Sequence, residues 1–202
     1  MGRIWDGIDD RLAGWLADQP VFFVATAPAG PDGHVNCSPK RNQGEFAVIG
    51  ERRVGYLDRT GSGVETVAHL RDNARIVVMF CAFDGPPRIV RLHGSGHSAQ
   101  RGSEEYAALA DAFSGAEEVG SRSVVVVDVE RVSDSCGYGV PLMSFAGHRD
   151  TMERWAERKG PEGIADYWVT TNRQSIDGLP GLPGLPVIPG LPVMPSPAGD
   201  GG

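Results

Sequence analysis

From Val21 to Ser135 the chain is a succession of strand-length apolar runs, joined by links mostly too short for anything but antiparallel pairing. VFFVATA (Val21 to Ala27) stops at the turn signal GPDGH (Gly30 to His34), and HVNCSPK leads away from it in the pattern of a hairpin. FAVIG and RVGYLD predict a second hairpin. RIVVMFCAF, the turn DGPP and RIVRLHGSGHS predict a third. The link from Tyr56 to Arg75 has the dozen or more residues that a parallel crossover needs. SVVVVDVERVSDS is the last strand, and its run Val124 to Val127 is too continuous to leave a solvent face. Helical spacing marks Asp9 to Ala17, Ser103 to Phe113, His148 to Lys159 and Pro161 to Thr171. Six or more strands so connected predict a mainly β fold with flanking helices, an antiparallel barrel or sandwich.

The chain therefore divides into an N-terminal helix (1–20), a barrel (21–135), a helical extension packing on it (136–177) and a Pro/Gly-rich tail (178–202). The tail, GLPGLPGLPVIPGLPVMPSPAGDGG, offers too little varied apolar surface for a core, so it is expected to be largely disordered. The alternative is that its first turns pack on the domain. A net charge of −7 without a run of lysines or arginines leaves no electrostatic footprint for nucleic acid. No apolar stretch has membrane-spanning length, and MGRIWDGIDD lacks the basic-then-apolar order of a secretory leader. The three cysteines, Cys37, Cys81 and Cys136, are odd in number and form no Cys-x-x-Cys, so neither a disulfide framework nor a zinc site is expected. These features predict a cytoplasmic protein.

The stretch Tyr56 to Asn73, YLDRTGSGVETVAHLRDN, admits two readings. Ser62-Gly63-Val64-Glu65 matches a capping box, in which Ser62 caps the helix and Glu65 reaches back. Alternatively, free N–H groups at the helix start, with Thr60, Ser62 and Thr66, surround a phosphate. Glu65 opposes that second reading, and the absence of a Gly-Lys-Ser/Thr ending excludes a triphosphate loop. Asn36, Ser38 and Lys40 share one strand face, with Lys40 solvated or at a site. Arg91, His93, Ser95 and His97 share another, either a solvated face or, through Arg91, a ligand contact. His93 and His97 stand ~13 Å apart on a strand, too far to hold one metal. CGYGVP (Cys136 to Pro141) reads as a tight, buried connection with an inert thiol. No nucleophile triad is present, and no catalytic residue is assigned.

The ordered set VFFVAT, DGHVNCSPK, YLDRTGSGVETVAHLRDNARIVVMF and PPRIVRLHGSG resembles the pyridoxamine 5'-phosphate oxidase-like family, the FMN-binding split barrels. The likeness covers roughly 21–132, and SCGYGVPL and QSIDGLPGL resemble a bacterial branch without a defined substrate. It implies an antiparallel split β-barrel forming a homodimer, with FMN at the subunit interface. By position, the resemblance places Ser38, Lys40, Leu57, Asp58, Thr60, Ser62 and Thr66 at the cofactor and turns the opening loop into an anion site. It implies hydride transfer to or from flavin, with a small-molecule substrate or electron donor. A deazaflavin or haem in the same barrel, or a non-catalytic binding or sensor protein, is the alternative. The oxidase proper carries an arginine where His34 or Val35 stands, a Ser-Arg-Lys run where Ser62-Gly63-Val64 stands, and a glutamine where Arg88 or Ile89 stands.

Overall fold

The computed structural model describes residues 2–184. Its strands are β1 (Ile4–Trp5), β2 (Val21–Thr26), β3 (Asn36–Arg41), β4 (Phe46–Gly50), β5 (Arg53–Arg59), β6 (Arg75–Cys81), β7 (Ile89–Gln100) and β8 (Ser121–Ser135). The helices are α1 (Asp10–Ala17), α2 (Glu65–Asn73), α3 (Glu104–Leu109), continued by a 3₁₀ turn, and α4 (Thr151–Thr171). One curled sheet runs β3-β2-β6-β7-β8-β5-β4, with β1 added beside β8, and every ladder is antiparallel. The three predicted hairpins are the β2–β3, β4–β5 and β6–β7 pairs. Since β3 and β4 lie at opposite ends of the order, the barrel stays open between them. The long link after β5 carries α2 and crosses to β6, which pairs with β2 and β7 instead of β5, so no parallel pair results. The sequence reading missed β1, whose two residues are too few to show any periodicity.

Alternation explains the interior. Phe22, Phe46, Tyr56 and Phe80 meet at its centre, with the Phe22 ring centroid 5.4 Å from Phe80 and 5.5 Å from both Phe46 and Tyr56. The α1 helix begins at the cap Asp9, whose Oδ1 accepts from Leu12 N at 2.7 Å, and buries Leu12 and Leu16 in that core. Val125 and Val127 join the same interior, while Val124 and Val126 pack outward under Tyr106 and Phe113. The valine run is buried on both faces, as its continuity requires.

Three local expectations need correction. The helix expected from His148 starts at Thr151 and breaks at Gly160, whose φ of 67° is left-handed, just before Pro161. Cys136 is exposed, so CGYGVP is a turn, closed by Val140 N to Gly137 O at 2.9 Å, but not a buried one. Residues 178–184 are not free tail: Gln174 bridges Pro180, Leu182 N donates to Asn172 O at 3.2 Å, and Leu182 packs on Val64 and Val67. The rest of the expected tail, 185–202, lies outside the described residues. Among the described residues, no helix is long and apolar enough to cross a membrane.

His69 on α2 is fully buried, and Nδ1 shares a hydrogen bond of 2.9 Å with Thr26 Oγ1. Burial lowers its pKa, against the opposing pull of Asp177, Glu65 and Asp72. A depressed folded pKa means that the unfolded chain binds the extra proton. This contribution to stability is complete above about pH 6.5 and is lost as the pH falls through the lowered value. Urea midpoints measured between about pH 7.5 and 5.5 are expected to fall on acidification, and His69→Gln is expected to flatten that slope. An unchanged slope in the variant would assign the effect elsewhere.

Candidate functional site

An open cleft of about 1530 Å³ lies between β3, the ends of β5 and β8, the loop before α2 and the extended segment that precedes α4. Six of the residues expected at a cofactor, Ser38, Lys40, Leu57, Asp58, Ser62 and Thr66, line it. Thr60 does not: it is buried, and its Oγ1 accepts from Trp168 Nε1 at 2.8 Å.

The β3 wall follows from strand alternation. Asn36, Ser38 and Lys40 are partly buried on the cleft side, while Cys37 stands exposed on the other face and the exposed Pro39 borders the cleft only at its rim. Ser38 Oγ donates to Asn36 Oδ1 at 3.0 Å, and Asn36 Nδ2 donates to Thr66 Oγ1 at 3.2 Å, which ties the strand to the first turn of α2. Lys40 Nζ lies 3.6 Å from Asp58 Oδ1 and 5.8 Å from the centre of the Tyr56 ring.

Asp58 forms the floor and is completely buried. Arg122 Nε donates to its Oδ2 at 2.7 Å, Arg122 Nη2 to its Oδ1 at 3.3 Å and Ser123 Oγ to its Oδ2 at 3.2 Å. Burial alone raises the pKa of this carboxyl. Arg122 foremost, then Lys40 and the hydrogen bonds from Arg122 and Ser123, outweigh it and hold the group below the usual carboxylate range. The carboxylate is thereby occupied as a structural anchor for the two cations.

The loop Thr60 to Val64 settles the first of the two sequence readings. Val64 is the N-cap of α2 and no side chain caps the helix. Helical geometry begins only at Glu65, so Ser62 sits two residues before the cap position and Glu65 is the first helical residue instead of the third. The capping box therefore does not form. The loop is held through its carbonyls: Asn172 Nδ2 donates to Gly61 O at 2.9 Å and to Ser62 O at 3.3 Å, and Arg122 Nη1 donates to Gly63 O at 3.2 Å. In a trans peptide the N–H points opposite to the C=O, so the N–H groups of Ser62, Gly63 and Val64 leave on the side away from these donors. The carboxylate of Glu65 flanks the loop and accepts from Ile176 N at 3.3 Å.

Across from this polar end runs the segment before α4, with Leu142, Met143 and Phe145 on the cleft. It is tied to the barrel by Met143 N to Phe83 O at 2.9 Å, and its apolar side chains stay exposed, Leu142 at 78%. Arg41 and Arg59 both pair with Glu45, and Arg41 also with Glu153, so these cations are engaged by carboxylates. The β7 stripe takes no part in the cleft. Arg91 Nη1 donates to Ser135 Oγ at 3.1 Å, Ser95 Oγ donates to Glu130 Oε1 at 2.9 Å, and His97 pairs with Glu105. Arg122, Asn172 and Trp168 escaped the sequence reading. Arg122 had a usable signal, since an arginine entering an apolar strand must find a carboxylate. Asn172 and Trp168 had none, because their roles depend on α4 folding back over a loop more than a hundred residues earlier.

An open antiparallel barrel with a cleft between one edge strand and a helix start defines a split-barrel protein. A family model described as pyridoxamine 5'-phosphate oxidase matches residues 8–136. A pyridoxamine 5'-phosphate oxidase family protein of Aspergillus flavus is 38% identical over 196 residues, covering 90% of this chain and 78% of that one. The chain belongs to the pyridoxamine 5'-phosphate oxidase family. Among solved structures, HupZ of Group A Streptococcus shares the fold with a TM-score of 0.51 at 22% identity, over 63% of this chain and 99% of that one. An FMN-binding protein of Syntrophomonas wolfei gives a TM-score of 0.46 at 15% identity, over 59% of this chain and 79% of that one.

Proposed function

We propose that the cleft binds a flavin, FMN in the first instance, and that the protein is an FMN-dependent oxidoreductase. The observation that carries this reading is the convergence of Lys40, Ser38 and the outward N–H groups of the Gly61–Val64 loop on one end of a cleft whose other wall is apolar. Cation, hydroxyl and amide donors suit a phosphate, and Leu142, Met143 and Phe145 suit a planar ring system. Family membership supports the same reading. Bound flavin would supply hydride acceptance or donation. The chain's own part is to hold the phosphate end with Lys40 and the loop, and to keep water from the ring with the apolar wall.

The substrate or electron donor is a small molecule reaching the open side of the cleft, in a cytoplasmic homodimer. Exposed Tyr138, Leu142, Met143 and Phe145, adjacent to the cleft, favour a second copy as their cover. Sedimentation of the pure protein is expected to give twice the chain mass. A non-catalytic flavin carrier remains the second reading, favoured by the engagement of Arg41, Arg59 and Arg122 with carboxylates, which leaves Lys40, itself 3.6 Å from Asp58, as the most accessible cation of the phosphate end.

The test is a visible absorption spectrum of purified protein before and after addition of FMN and removal of unbound ligand. A retained flavin band is expected. Lys40→Ala should weaken FMN binding roughly tenfold to a hundredfold, the value of a hydrogen bond to a charged group. Protein that stays colourless with FMN present rejects the flavin assignment. Reduction of the bound flavin by a nicotinamide donor separates enzyme from carrier.

A further inference from the structure

The anion loop does not hold its own shape. Neither the capping box nor any bond within Thr60 to Val64 fixes it; its start is held by Thr60 N to Gly120 O at 2.7 Å, its end by Arg122 at Gly63 O, and its middle by a residue near the far end of the chain. Asn172, completely buried at the end of α4, donates from Nδ2 to both Gly61 O and Ser62 O, and its Oδ1 accepts from Arg122 Nη1 at 3.0 Å. The backbone of Asn172 is itself fixed on both sides, by its N–H to Trp168 O at 3.1 Å and by its carbonyl from Leu182 N at 3.2 Å. The return that delivers Leu182 is stapled to α2 and to the β2–β3 turn. Arg71 Nη1 donates to Gly181 O at 2.6 Å, Gly181 N donates to Arg173 O at 2.8 Å, and His34 Nδ1 meets Asp177 Oδ1 at 2.6 Å.

We infer that Asn172, locked by the return Arg173 to Leu182, is the positioning residue of the anion site: it turns the Gly61 and Ser62 carbonyls inward so that the N–H groups of Ser62 and Gly63 face the phosphate of the cofactor. This inference rests on the flavin reading of the cleft. It gives the first Gly-Leu-Pro repeats a function, since Gly181 must lie against the loop. A Cβ there would overlap the Asn172 carbonyl oxygen and approach Val64 Cγ1 to 3.0 Å. Asn172 touches no ligand in this scheme. It acts through the peptide planes of the loop, which cannot rotate their N–H groups outward without rotating their C=O groups inward.

The experiment compares FMN with riboflavin, which lacks the phosphate, on Asn172→Ala, Asn172→Asp and Gly181→Ala in the full chain. Affinities are read by quenching of flavin fluorescence, and the backbone amide chemical shifts of 61–64 are followed by NMR in protein without added flavin. FMN affinity is expected to fall about tenfold in Asn172→Ala, while riboflavin affinity changes less than about twofold. The amide shifts at 61–64 should move in all three variants while those of the β6–β7 hairpin stay in place. Equal losses for FMN and riboflavin, or loop shifts identical to those of the native chain, would overturn the inference. Should Asn172→Ala fail to fold, Gly181→Ala decides, because it alters neither a donor nor an acceptor. If native protein binds neither flavin, the flavin reading fails by itself, and the amide shifts at 61–64 still decide whether Asn172 sets the loop.

Discussion

Replacing Arg122 by alanine is expected to destabilise the fold by about 3–5 kcal/mol at neutral pH, read from urea unfolding. The size follows from what remains. Asp58 is completely buried, and its two short contacts come from Arg122 Nε at 2.7 Å and Ser123 Oγ at 3.2 Å. Lys40 stands farther off, at 3.6 Å, on a partly exposed side chain, so it replaces the guanidinium only in part. Without Arg122, burial dominates and the carboxyl takes up a proton more readily. The sign with pH is then fixed. Native Asp58, with its lowered pKa, contributes stability above about pH 3.9 that is lost on acidification, whereas the variant relieves its buried charge as the pH falls. The gap between variant and native protein should therefore narrow from neutral pH toward about pH 5. The paired replacement Arg122→Met with Asp58→Leu is expected to cost less than Arg122→Ala alone, since no orphaned charge is left. A single-variant loss below about 1 kcal/mol would place Asp58 in contact with water and undo this account.

Phe22→Ala should cost a similar amount, about 3–5 kcal/mol, by a different route. Phe22 is fully buried on β2 and its ring stands in contact with Phe46, Tyr56 and Phe80 together. Those three rings come from strands on both sides of the barrel and are held by ladders, so they cannot collapse into the vacated space. The strand also carries β3 as its sole ladder partner on that edge, with Phe22 paired to Lys40 itself. The same substitution should thus weaken FMN binding together with stability, whereas Phe22→Leu should keep most of both. A thermal midpoint within about 2 °C of the native value for Phe22→Ala would show that the cavity closes after all.

The barrel was legible in the sequence because its elements announce themselves locally. Period-two runs, Asp-Gly and Pro-Pro turns and an all-apolar valine strand each depend on neighbours a few residues away. β3 was legible to the level of its facing residues: Asn36, Ser38 and Lys40 do share the cleft side. The loop before α2 was legible as a special place but not in its mechanism. Ser62 and Glu65 stand at capping-box spacing, yet the helix starts at Glu65 because Asn172 and Arg122 already hold the preceding carbonyls. Tertiary hydrogen bonds overrode a local preference worth about 1 kcal/mol. For the same reason Thr60, expected at the cofactor, is turned away to Trp168. The Gly-Leu-Pro run was legible only in its alternative: composition favoured disorder, but its first turns pack on the domain, burying Leu182 by borrowing the surface of α2.

The fastening of a loop at 61–64 by residues 172–182 also orders events in time. A ribosome extends the chain at about 5–20 residues per second, so roughly 5–20 s separate the emergence of the loop from that of its clamp. The barrel strands end at Ser135, well before Asn172 is made. A nascent chain can begin to close its core during that interval, but the Gly61 and Ser62 carbonyls still lack their donor. If the cleft takes the flavin proposed above, its capture follows the barrel strands in time, and a chain cut short after Ser135 should hold flavin less tightly than the full chain.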